Sequence, residues 1–219
     1  MKSNQIKLSL DSISSESIEL FKASSVGIEK ECLRTVNEKL SESLHPTELG
    51  SSLTNRYITT DFSESQLELI TPPMTNNKDA LQFLKDIHHF VYRNLNDEIL
   101  WPFSMPPYIS SDSEIPLAEY GKSNLGLFKK TYRNGLSNRY GRMMQAISGI
   151  HYNFSFSDSL WTGLCKHNNV NELQEIRSAA YLKLLRNASR LNWLIIYLFG
   201  ASPLIMGEPS QEDKKDFLK

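Results

Sequence analysis

The chain has 219 residues, enough for one large domain or two small ones. Hydrophobic residues make up 40% and charged residues 22%, the balance of a globular protein, and a formal net charge of -1 argues against a dedicated nucleic-acid or membrane-surface binder. Cys32 and Cys165 stand in no metal-ligand or CxxC spacing, the first residues lack a signal-peptide pattern, and the longest apolar run, 191–201, is too short to span a bilayer. These features point to a cytoplasmic protein in a reducing compartment, with no disulfide framework and no internal repeat.

Taken in order, residues 14–23 read as a short helix, with Ile18, Leu20 and Phe21 as its apolar residues. The stretch 26–33 reads as a strand in which Glu29 and Glu31, two apart, share a face. Two such carboxylates are either a solvated strand edge or a pair that a divalent cation with oxygen ligands would reconcile. Residues 37–53 read as loop and turn. Two extended pieces follow between 57 and 71, joined around Asp61–Ser65, and the second places Glu68 on an otherwise apolar strand. Pro72-Pro73 ends that strand.

Asn76 or Asn77 caps a helix of about five turns, with Ala80, Leu81, Leu84, Ile87, Val91 and Leu95 as its buried face. His88 and His89 on this helix read as packing or surface residues, since no carboxylate is spaced to join them as a ligand. Between 101 and 116, Pro102, Pro106, Pro107 and Pro116 break the chain, while Trp101, Phe103, Met105, Tyr108 and Ile109 predict a fixed loop that buries apolar side chains.

From 122 to 157 there is no Asp or Glu, while Lys122, Lys129, Lys130, Arg133, Arg139 and Arg142 all fall there. This is either a solvated basic face or an anion site for phosphate or carboxylate. Nucleic acid is a third reading, but the charge is local and the aromatic residues are not spaced as stacking platforms. The segment ends in a strand, 149–156, with His151, Asn153 and Ser155 on one face and Ile150, Tyr152, Phe154 and Phe156 on an expected core face. Residues 171–199 read as a long helix with an apolar stripe of Ile176, Ala180, Leu184, Ala188, Leu191, Ile195 and Leu198. Gly200 and Pro203 end it.

Glu29, Glu31, Asp61 and Glu68, with His151, make a hard-ligand set suited to Mg²⁺ or Mn²⁺ rather than structural zinc. There is no Walker A loop and no G-x-S-x-G elbow. An acidic metal face beside a basic, acid-free segment fits phosphoryl transfer, with Arg133 as the candidate anion contact.

Seven motifs occur in order: Gly-Ile-Glu-Lys-Glu (27–31), Thr-Thr-Asp-Phe-Ser-Glu (59–64) with Glu68 and Thr71-Pro72, Trp-Pro-Phe-Ser-Met-Pro (101–106), Tyr-Gly-Lys-Ser-Asn (120–124), Asn-Arg-Tyr-Gly (138–141), Gln-Ala-Ile-Ser-Gly-Ile-His-Tyr-Asn-Phe-Ser (145–155) and Tyr-Leu-Phe-Gly-Ala-Ser-Pro (197–203). Together they closely resemble the proteobacterial glutamate–cysteine ligase family over roughly residues 20 to 204. The resemblance implies an α+β fold, a curved, mainly antiparallel sheet forming a glutamine-synthetase-like funnel with helices outside. It implies ATP-dependent joining of the glutamate γ-carboxyl to cysteine through γ-glutamyl phosphate, the first step of glutathione synthesis. By the same resemblance Glu29, Glu31, Asp61, Glu68 and His151 match metal positions. Phe62, Tyr132, Leu136 and Gln145 match positions around the cysteine substrate.

Family members are roughly twice this length, so the chain is expected to hold the N-terminal part of the catalytic domain over 1–204, with a polar tail over 205–219 and an incomplete sheet. Little or no ligase activity is expected of it alone. The alternatives are a non-catalytic remnant that at most binds metal or nucleotide, and a related carboxylate–amine ligase with another acceptor.

Overall fold

The computed structural model describes Glu19, residues 22–162 and residues 173–200. Cys165, the polar tail from 205 and most of the first expected helix lie outside the described residues, although Glu19 and Lys22 are helical. The described residues fall into two compact units: Val26–Asn153, and the stretches on either side of it.

The first unit is built on β1 (Ser25–Val36), longer than the sequence reading of 26–33. β2 (Lys39–Leu40), β3 (Ile58–Thr60), β4 (Gln66–Ile70), β5 (Ile99–Leu100) and β6 (Ile150–Ser155) complete a six-stranded sheet. β1 pairs antiparallel with β2, β4 and β5, and β3 pairs antiparallel with β4. β6 also pairs with β1. The stretch 37–53, expected to be loop and turn, contains a single 3-10 turn at Thr47–Leu49 and also the short strand β2. Asn37 and Glu38 take positive φ between β1 and β2, the local geometry of a tight reversal.

Helix α1 (Asn77–Asn94) starts where the sequence places it. The Asn76 side chain accepts from the Asp79 N–H at 2.9 Å, the expected N-cap bond. Ala80, Leu84, Ile87 and Val91 are buried at helical spacing, and Leu84, Ile87 and Val91 pack with Cys32, Ile58, Leu67 and Leu69 of the sheet. Leu81 is exposed, contrary to expectation, because it sits one residue past Ala80 and so about 100° round the helix from the stripe.

The proline-rich segment buries only part of the expected apolar set. Trp101 Nε1 donates to the Met105 carbonyl, and Ile109 and Ile115 are buried. Phe103 and Tyr108 remain exposed. Helix α2 (Asn124–Tyr140) then carries most of the basic residues, and a single turn, α3 (Arg142–Gln145), follows. α2 lies close against Tyr120: a Cβ at Gly126 would meet the Tyr120 carbonyl oxygen at 2.5 Å, so glycine alone permits the approach.

In the second unit, helix α4 (Leu173–Phe199) confirms the long expected helix. Ile176 is buried, and Trp161 meets Phe156 edge-to-face and Tyr181 at a tilt. The rest of the expected stripe is not buried. Leu184, Leu191, Ile195 and Leu198 are exposed, as are Ile150, Tyr152 and Phe154 on the face of β6 expected to be core. The alternation in β6 is regular, whereas α4 is apolar on more than one side, with Leu185, Trp193 and Ile196 also exposed.

Candidate functional site

The antiparallel register of β1 and β4 sets Glu31 directly opposite Glu68, and β3 sets Thr59 opposite Glu68. Directly opposed residues share a face of the sheet. Glu29 is two residues from Glu31, and Asp61 two from Thr59, so all four carboxylates stand on one face. The other face of the same strands carries Cys32, Leu67 and Leu69 toward α1. Burial pushes the Cys32 thiol up to about 11, so it is a packing residue. Lys30 also points that way, and its Nζ lies 3.1 Å from His88 Nε2. Burial and Lys30 lower the His88 pKa to about 4, consistent with a neutral packing histidine.

β6 brings His151 to the acidic face, with Nε2 3.3 Å from Glu31 Oε1. Asn153 Nδ2 donates to Glu29 Oε1 at 2.7 Å. The Gly149 N–H donates to Glu31 Oε2 at 2.8 Å, and its carbonyl accepts from the Glu31 N–H at 3.0 Å. A Cβ at Gly149 would stand 3.2 Å from His151 Nε2, so a side chain there would press on the imidazole. Gln66, fully buried on the same face, donates weakly to Glu31 Oε2 and Ser148 Oγ, at 3.4 Å each.

The carboxylates repel one another. Burial, then Asp61, Glu29 and Glu31, raise Glu68 to about 7. Burial likewise raises Glu31, opposed by the Gly149 N–H, and raises Asp61, opposed by Arg133. Hard oxygen donors that hinder each other's ionisation, with an imidazole beside them, are the donor set that a divalent cation relieves. Among the described residues, no three of these side chains converge into a ready coordination shell, since Glu29 and Glu31 turn to Asn153 and Gly149. The residues fit a hard cation in the chemistry of their donor atoms.

The basic segment separates into roles that the sequence left open. Arg142 is structural: its Nη1 donates to the Ile115 carbonyl and its Nε to Ser137 Oγ. Lys130 pairs with Glu119, and Arg139 lies over Tyr140. Only Lys129 and Arg133 converge on a single ring, that of Tyr120. Arg133 Nε donates to the Asp61 carbonyl, and the Tyr120 hydroxyl donates to the carbonyls of Thr60 and Asp61 at 2.5 and 3.0 Å. The expected anion contact thus stands beside the acidic face.

Phe62 is buried with Ile109, Ile115 and Ala146, and Leu136 packs against the same cluster. Gln145 is half-buried at the end of α3, and Tyr132 is exposed on α2. The structure therefore brings Phe62 and Leu136 together, and leaves Tyr132 outside that cluster. Tyr120 and Gln66 received no role from sequence reasoning. Gln66 could have been found from its two-residue spacing to Glu68. Tyr120 depends on a contact across 59 residues that no local pattern encodes.

The glutamate–cysteine ligase family profile matches residues 10–219. The chain belongs to this family. It is 50% identical over 188 residues to a glutamate–cysteine ligase of Aliivibrio salmonicida, a match covering 85% of this chain and 36% of that one. It is 49% identical to one of Pseudomonas putida over 197 residues, covering 87% and 38%. The crystal structure of the Francisella tularensis ligase in complex with AMP superposes with a TM-score of 0.77 at 42% identity, covering 86% of this chain and 38% of that chain. A bifunctional glutathione synthetase of Pasteurella multocida gives 0.80 at 34% identity, covering 90% and 26%. The chain spans little more than a third of the curated relatives it matches, less than the half expected from the resemblance. Its α+β architecture with an antiparallel sheet is that of the part of the matched ligase structure it covers. None of its described helices is long and apolar enough to cross a membrane.

Proposed function

We propose that this chain carries the metal- and anion-binding part of an ATP-dependent glutamate–cysteine ligase acting in the cytoplasm. The observation that carries the reading is the single sheet face on which Glu29, Glu31, Asp61, Glu68 and His151 gather beside Arg133. In the reaction a γ-carboxylate oxygen of glutamate attacks the γ-phosphorus of ATP, forming γ-glutamyl phosphate and releasing ADP. The cysteine amine then attacks the acyl carbon, expels phosphate and gives up a proton.

Glu29, Glu31, Asp61, Glu68 and His151 would hold Mg²⁺ or Mn²⁺, whose charge would offset that of the polyphosphate. The strand register fixes the carboxylates at adjacent sheet positions. Gly149 and Asn153 orient Glu31 and Glu29. Arg133, tethered by its Nε to the Asp61 carbonyl, is placed to take a substrate anion. Phe62, Leu136, Tyr132 and Gln145 are the candidate surroundings of the cysteine substrate.

Calorimetric titration of the 219-residue chain with Mn²⁺ tests the metal part. Saturable binding is expected, weakened at least about tenfold in Glu29→Gln and Glu31→Gln. A wild-type chain that takes up no Mn²⁺ would overturn it. Cysteine-dependent ADP formation by this chain alone is expected to be slight or absent, because the relatives are much longer.

A further inference from the structure

Lys129 lies one helical turn before Arg133 on α2, so the two side chains rise from the same face. Lys129 Nζ stands 4.9 Å from the centre of the Tyr120 ring, and the Arg133 guanidinium carbon stands 4.7 Å from it. The ring itself is buried and immobilised, its hydroxyl donating to the Thr60 and Asp61 carbonyls at the edge of the acidic face. Among the described residues neither cation comes within ion-pair distance of a carboxylate, whereas neighbouring Lys130 is paired with Glu119. Two cations held on one aromatic plate repel each other. Partial burial and the charge of Arg133 lower the Lys129 pKa, opposed by Glu68. An anion between them would relieve the conflict, and the aromatic plate keeps both from swinging into solvent.

We propose that Lys129 and Arg133, seated on Tyr120, form a two-cation site for an anionic oxygen group of a substrate, with Lys129 as its second arm. The inference deepens the reading of the site as a ligase centre and rests on it. Two sources share the chemistry: a phosphoryl group of ATP and the carboxylate of an amino-acid substrate.

The test is calorimetry on the 219-residue chain with ATP, L-glutamate and L-cysteine in separate titrations, each with and without saturating Mn²⁺. At least one ligand is expected to bind, with affinity reduced about tenfold or more in Lys129→Met, the loss expected for one charge-assisted hydrogen bond. Lys129→Arg should stay within about threefold of wild type, and Lys130→Met should match it. Mn²⁺ affinity in Lys129→Met should be unchanged or tighter, because a positive charge near Glu68 has gone, an outcome that general loss of structure would not give. A loss confined to ATP assigns the site to phosphoryl oxygens, and one confined to an amino acid assigns it to a carboxylate. Equal affinities in Lys129→Met and wild type, or no anion bound by wild type, would overturn the proposal. If Mn²⁺ does not bind while the Lys129-dependent anion affinity persists, the metal reading fails and the anion site stands.

Discussion

Glu68 shows what one residue's surroundings can do to its chemistry. It stands opposite Glu31 and Thr59, and burial together with three carboxylates raises it to about 7. An acid with a raised folded pKa holds its proton in the fold while the unfolded chain releases it. Stability is therefore lost as pH rises from about 4.5 toward 7, and stays lost above that. Glu68→Gln is expected to leave stability near wild type at pH 4.5 and to raise it at pH 8. The gain should be of order 1–2 kcal/mol after allowance for solvent screening. Urea unfolding at the two pH values, without divalent cation, measures it. The same variant should lose Mn²⁺ affinity. A substitution that stabilises the fold while weakening the metal marks a residue kept for binding rather than for packing.

At the scale of elements, β1 is the strand with which β2, β4, β5 and β6 all pair, and its far end is pinned by a buried ion pair. Arg34 is fully buried, and its Nη1 donates to both Glu98 oxygens at 2.8 Å. Its Nη2 donates to the carbonyls of Ser43 and Glu64, and Ser41 Oγ donates to Glu98. Glu64 in turn accepts from the His45 and Glu119 N–H groups, so the pair steadies the loop that carries Asp61 and Phe62. Removing one partner strands a buried charge. Arg34→Met is expected to cost about 3–5 kcal/mol by urea unfolding, and Arg34→Met combined with Glu98→Leu to recover a large part of it. Equal losses in the single and double variants would show that the lost backbone bonds, not the unpaired carboxylate, dominate.

At the scale of the molecule, exposed apolar surface is the main feature. Leu191, Trp193, Ile195, Ile196 and Leu198 on α4 are all exposed, as are Ile150 and Tyr152 on β6. Apolar faces of this extent drive association in water. Sedimentation velocity of the isolated chain is expected to show concentration-dependent oligomers. Replacing Trp193 and Ile196 by polar residues should shift them toward monomer.

The elements were largely legible in the sequence because each rests on local physics. Asn76 caps α1 through a bond three residues away, and Ala80, Leu84, Ile87 and Val91 recur with the helical period. The two-residue spacing of Glu29 and Glu31 put them on one face before any partner strand was known, and the ordered motifs named the family. Tertiary structure alone decided which faces are covered. The alternation of β6 is as regular as the stripe of α1, and α4 carries apolar residues all round, yet these faces are exposed, because burial depends on what packs against a face and not on the face itself. It also chose among the basic residues. Lys130 and Arg142 were indistinguishable from Lys129 and Arg133 by composition, and only the chain's path past Glu119, Ile115 and Tyr120 gave each its partner.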